Sequence, residues 1–248
     1  MGCEMKKVAI AALFALASAA AHADSITDYV HAEIGIGGSA YANGPDGLWY
    51  QDGFEHKLDL TAPAVRAGLT GPLYERGNWG IDWHIDYVWL GTVHTNAEVP
   101  SAKTNTSQGK WVGADFIGAN TSNPCNGPCT NLSDFIGSGH DMGVSMTLEP
   151  HYTYRGWTLG VEAGPYFHRS TWSEDVTDWY ASATSAPANI HVAWRPVWSV
   201  GAVVGASVSY RNFGLSYQYY LNKQTGSASN PYNPIWTGAH VLMATYRF

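Results

Sequence analysis

Ten ionisable side chains fall at alternate positions of segments that switch between apolar and polar residues: His31, Glu33, Arg66, Asp82, His84, Asp86, Glu149, His151, Glu162 and His168. Alternation puts each set on one face of an extended strand. Glu149 and Glu162 are equally far from the Arg155-Gly156 dipeptide, so a tight turn there sets the two carboxyls side by side. Such a pair can share a proton, recruit Arg66, or hold a hard cation with Asp and His nearby. The plainer reading is a polar plug, in which every buried charge finds a partner. His168 and Ser170 also share a face, and an imidazole within hydrogen-bond reach of a serine hydroxyl can act as its general base. Among the acids that follow are Glu174 and Asp178.

The elements that would position these groups begin after a secretory leader. Lys6-Lys7 precede the apolar stretch Val8 to Ala20, and Ala21-His22-Ala23 supplies small residues at the two positions read by signal peptidase. Residues 1–23 are therefore expected to be removed, Cys3 with them, and Met5 is an alternative start. Beyond the leader no apolar run reaches the roughly 18 residues of a membrane helix. Yet the chain holds 11 Trp, 15 Tyr and 27 Gly. Low hydropathy with many interfacial aromatics fits a barrel whose lipid face is every second residue.

Alternation and turns predict eight strands: Tyr29 to Tyr41, His56 to Gly71 with a bulge at Pro63, Trp79 to Trp89, Met142 to Tyr154, Trp157 to Phe167, Pro196 to Tyr210, Phe213 to Asn222, and Trp236 to Phe248. In the third, Trp79, Ile81, Trp83, Ile85, Tyr87 and Trp89 face lipid while Gly80, Asp82, His84 and Asp86 face inward. Short turns at Arg76-Gly77-Asn78, Arg155-Gly156 and Arg211-Asn212 join them through residues that adopt positive φ cheaply. Long polar connections lie at the other rim, about 42–55, 97–140, 171–195 and 223–235. The second carries Cys125-Asn-Gly-Pro-Cys129, expected as a disulfide closing a small loop, since a metal or redox site lacks a third Cys or a His nearby.

The last strand alternates and stops on Phe248 with Tyr246 two before it, which resembles the C-terminal insertion signal of bacterial outer-membrane barrels. The chain after residue 23 resembles the small barrels of the OmpA/OmpX/OmpW type. That resemblance implies an all-β, eight-stranded antiparallel up-and-down barrel with both termini in the periplasm. It also implies outer-membrane lipid and lipopolysaccharide as surroundings, and periplasmic chaperones and the barrel-assembly machinery as partners in biogenesis. The His168/Ser170 spacing is similar to that of outer-membrane lipid A 3-O-deacylases, which implies a serine hydrolase facing lipid. Here Thr171 stands where that pattern has Asn, and Ser182 where it has the acid.

A formal charge of −7, with no basic stripe, excludes nucleic acid as a partner. No Gly-x-Ser-x-Gly elbow, His-Glu-x-x-His helix or phosphate-binding loop is present, and no cofactor or metal is assigned. Three functions follow. The first is a non-enzymatic surface barrel that engages an external ligand through its loops. The second is a narrow cation or small-solute conduit through an acidic lumen. The third is a hydrolase built on His168, Ser170 and Glu174.

Overall fold

Strands that alternate apolar and polar side chains can bury a polar face in a membrane only if their sheet closes on itself. The computed structural model describes residues 29–43, 56–100, 132–179, 186, 188–194, 197–222 and 236–248. These form β1 (His31–Asn43), β2 (His56–Asp59), β3 (Thr61–Arg76), β4 (Trp79–Pro100), β5 (Leu132–Tyr154), β6 (Trp157–Trp179), β7 (Ala188–Trp194), β8 (Ser199–Tyr210), β9 (Phe213–Leu221) and β10 (Trp236–Arg247). Antiparallel pairing runs β1–β3–β4–β5–β6–β8–β9–β10 and back to β1, so the sheet is closed. Among the described residues there are ten strands, not the eight expected. The additional two, β2 and β7, lie off the ring and extend the sheet along β4 and β6.

Two expected loops are shorter than alternation suggested. β4 continues to Pro100 and β5 begins at Leu132, while β6 continues to Trp179 and β7 occupies Ala188–Trp194. The leader, Cys125, Cys129 and the connections at 44–55, 101–131 and 223–235 lie outside the described residues.

The three tight turns share a rim with the paired ends of β1 and β10, where Glu33 stands opposite Arg247. Gly77 has φ 63°, and Arg155 and Gly156 have φ 52° and 82°. Positive φ at both central residues gives a primed turn that matches strand twist. Arg211 is also left-handed, at φ 55°. Two arginines thus take conformations expected of Gly or Asn, and their guanidinium groups lie 5.1 Å and 5.3 Å from the Tyr154 and Tyr210 rings.

Outside, the wall is an apolar belt bordered by aromatic rings. Ile34, Ile36, Ile85, Met146, Leu148, Leu159, Val161, Val200, Val204, Leu215 and Leu242 are exposed. At the turn rim Trp79 meets Tyr152, Trp157 meets Tyr210, and Phe213 meets Tyr246, with ring centres 5.0–5.1 Å apart. The belt ends abruptly at the other side. Outward positions change from Trp89 to Thr92 on β4, Met142 to His140 on β5, Phe167 to Arg169 on β6, and Leu242 to His240 on β10. From Trp157 to Phe167 the strand rises about 33 Å, which at a tilt of about 40° spans about 25 Å of hydrocarbon.

The ladder slips on β4 between Trp89 and Thr92. Pro63, where a bulge was expected, pairs regularly with Gly38. β3 instead shifts register between Pro72 and Tyr74, and a second bulge is on β4 across from Pro63, at Leu90-Gly91. Gly91 has φ 81°, and a Cβ there would stand 2.2 Å from the Pro63 carbonyl oxygen. Gly91→Ala is expected to cost about 1–3 kcal/mol from backbone strain alone. A lowered urea midpoint of the vesicle-embedded barrel would show it, and an unchanged midpoint would mean the bulge is not fixed by this glycine.

Candidate functional site

Inside the ring the inward residues stack in tiers. Nearest the turn rim is an ionic tier centred on Arg66, whose Nη2 donates to Glu33 Oε1 at 2.6 Å. Its Nη1 faces Glu162 Oε2 at 3.7 Å and Asp86 Oδ2 at 3.9 Å, attraction without a direct hydrogen bond. Arg247 reaches in from β10 to Glu33 (3.4 Å) and Asp82 (3.2 Å). It is therefore part of the lumen network. His151 lies 3.8 Å from Asp82, and His84 Nε2 lies 2.8 Å from Glu149 Oε2.

The flanking pairs Leu148–Ala163 and His151–Gly160 put Glu149 across from Glu162, as the turn predicts. The two carboxylates nevertheless hold different partners. Glu149 takes the His84 contact and a short hydrogen bond from Ser207 Oγ. Glu162 accepts from Thr147 Oγ1 at 2.5 Å and Gln218 Nε2 at 2.6 Å. Gly160 makes the arrangement possible, because a Cβ there would stand 1.9 Å from Glu149 Oε1. His31 is half-buried and pairs with Thr70, at the margin of this tier.

The next tier surrounds Asp141, which stands just before the expected start of its strand at Met142 and falls within β5. Its Oδ2 lies 2.9 Å from His168 Nδ1 and also accepts a short hydrogen bond from Ser170 Oγ, while Oδ1 accepts from Tyr166 OH at 2.8 Å. The Asp141 amide donates to Tyr41 OH at 3.0 Å, and that hydroxyl donates to Gly91 O at 2.9 Å. Tyr41 thereby bridges the gap that the bulge opens between β4 and β5. Asp141, His168 and Ser170 are fully buried. The serine proton is directed at the carboxylate and not at the imidazole, and His168 Nε2 has no partner. That is not the hydrogen-bond order of an activated serine. Glu174 does not join the group, and instead accepts from Trp172 Nε1 at 2.8 Å.

Above this the interior turns apolar. Tyr41, Leu90, Val93, Phe135, Trp172, Trp236 and Val241 are buried together. The Trp236 ring lies 4.8 Å from Tyr41 and 5.8 Å from Trp172. Glu174 is buried at this level, well beyond the belt, and burial pushes its carboxyl up to about 7.

A closed antiparallel sheet with a polar lumen and an apolar, aromatic-bordered exterior defines a membrane-spanning β-barrel of the outer-membrane type. No family model matches the chain, and no curated protein does. Among solved structures, the crystal structure of Ail, the attachment invasion locus protein of Yersinia pestis, aligns at 14% identity over 89% of this chain and 99% of that one, with a TM-score of 0.37. Its complex with the heparin analogue sucrose octasulfate gives 13% identity, the same coverages and a TM-score of 0.36. Its backbone structure in a phospholipid nanodisc gives 15%, coverages of 88% and 99%, and 0.28. The superpositions are loose, and identities this low carry no function across.

Two expectations follow from the tiers. Arg66→Met strands buried carboxylates and is expected to cost about 3–5 kcal/mol in urea unfolding. Asp86→Asn removes a carboxylate with no hydrogen bond and should stay within about 1 kcal/mol. Equal costs would contradict the central role of Arg66. For Glu174, a carboxyl raised in the folded state adds stability that is full below its ordinary value near 4.5 and is lost as pH rises through about 7. The loss is on the order of 3 kcal/mol. Amide exchange across residues 134–139 and 171–176 should accelerate, after correction for intrinsic rates, between pH 5.5 and 8.5. Glu174→Gln should abolish that change, and a pH response that survives the substitution would rule out this carboxyl as its source.

Proposed function

We propose that the protein is a non-enzymatic surface barrel, anchored in the outer membrane with the tight turns and both chain ends on the periplasmic side, that engages an external partner through its opposite rim. The observation that carries this reading is the length of β4, β5 and β6. They run 22, 23 and 23 residues, about twice what a crossing needs. Their upper halves, with β2 and β7 along the sides, make a packed sheet that projects beyond the belt. A rigid platform bearing long connections is a display structure.

The tiers favour display over the alternatives. A conduit needs a continuous wet path, and here salt-bridged side chains are capped by packed Trp, Phe, Leu and Val. A lipid hydrolase needs its serine at the lipid surface, and Ser170 is buried on the inner face. Deleting residues 101–131, which lie between β4 and β5, should leave heat-modifiable gel mobility intact while abolishing adhesion of expressing cells to host-cell or matrix surfaces. Planar bilayers holding the intact protein should show no stepwise conductance. Full adhesion by the deletion variant, or cation-selective steps altered by Glu149→Gln and Glu162→Gln, would overturn the reading.

A further inference from the structure

Arg169 stands on the outer wall at the level where the belt ends, two positions above Phe167. Among the described residues its guanidinium has no carboxylate partner, and its Nε is buried without a hydrogen bond. The surrounding strands explain why. Across β5 its neighbours are Met142 and, one outward position higher, His140. On β6 itself they are Phe167 and Thr171, and Thr171 Oγ1 is occupied by His140 Nδ1 at 3.0 Å. On the other side, just before β8, stands Trp198, exposed, with its ring 5.8 Å from the guanidinium carbon. The nearest acids are committed elsewhere. Asp141 points inward to Tyr166, His168 and Ser170, and Asp175 is bound by His191 at 2.7 Å. Just below, Phe167 pairs with Val200, and both side chains are exposed.

An unpaired guanidinium held over an indole at a membrane boundary, above an apolar wall, complements an anionic headgroup carrying acyl chains. We propose that Arg169 and Trp198 form a binding site for the phosphate of an outer-leaflet lipid, whose chains lie along Phe167 and Val200. Arginine suits this because its planar fork can hold two phosphate oxygens at once while stacking on an aromatic face. The site depends on the outward wall and not on the loops, so it stands or falls separately from the adhesive role.

Native mass spectrometry of the folded full-length barrel would test it with bis-phosphorylated lipid A, its dephosphorylated form and inorganic phosphate as probes. The intact protein should retain phosphorylated lipid A and release the dephosphorylated form. Arg169→Gln should weaken retention about tenfold, as expected for loss of a charge-assisted contact. Arg169→Lys should recover part of that loss, and Trp198→Ala should weaken retention several-fold. If Arg169→Gln does not fold, the Lys and Trp198 variants decide. Full retention by folded Arg169→Gln or Trp198→Ala, equal retention of dephosphorylated lipid, or displacement of the lipid by inorganic phosphate would overturn the proposal.

Discussion

The Arg66 guanidinium is the group around which the interior is organised. Five carboxylates, Glu33, Asp82, Asp86, Glu149 and Glu162, converge in a lumen that bulk water does not fill, and unpaired they would drive the strands apart. Arg66 draws in three of them, and Arg247 and the imidazoles of His84 and His151 take the remainder. Each strand of the ring contributes a member: Glu33 from β1, Arg66 from β3, Asp82 from β4, Glu149 from β5, Glu162 from β6, Ser207 from β8, Gln218 from β9 and Arg247 from β10. Such a network fixes register as much as it adds stability. A one-residue slip of β6 would turn Glu162 toward lipid and Phe167 into the lumen. Closure and polar pairing therefore depend on each other.

Much of this was legible in the sequence, and the places where it was not share one physical cause. Within the belt, the lipid side is apolar and the lumen polar, so Trp79 to Trp89 reads cleanly. Above the belt the environments exchange. Water lies outside and a packed core inside, so Val93 and Phe135 point inward while His94 and Asn96 point out. The apolar phase shifts by one residue at the boundary. A reading keyed to outward hydrophobic residues loses the strand there and assigns the upper halves of β5 and β6 to loops. On β4 the bulge at Leu90-Gly91 adds a second change of phase that cancels the first, so Val93 and Thr95 stay in step with Trp89.

Asp141 was missed for a related reason. Glu174 and Asp178, the acids expected for His168, follow it along the chain, whereas in an antiparallel ladder the nearest partners lie across it. The Arg155-Gly156 turn that predicts Glu149 opposite Glu162 also predicts Asp141 opposite Ser170. Extending the register past Met142 would have found it. Tyr41 had no such signal. Its place depends on a bulge in a strand that is not its ladder neighbour, and on a hydroxyl long enough to fill the gap left there. Only the assembled ring brings those groups together.

The His168-Arg169-Ser170 triplet shows how much the parity of a strand decides. Imidazole and hydroxyl share the inner face, where Asp141 and Tyr166 complete a buried hydrogen-bond cluster. The residue between them shares the outer face with Phe167 below and Thr171 above. A lipid molecule alongside the barrel meets only that second set. For the motif to act on lipid, β6 would have to rotate by one position, which would carry Glu162 out of its bonds to Thr147 and Gln218 and into hydrocarbon. Exposing a carboxylate there costs several kcal/mol, more than the marginal stability of a strand register can absorb. The same pairing that closes the lumen therefore assigns His168 and Ser170 to structure and leaves Arg169 to face the bilayer.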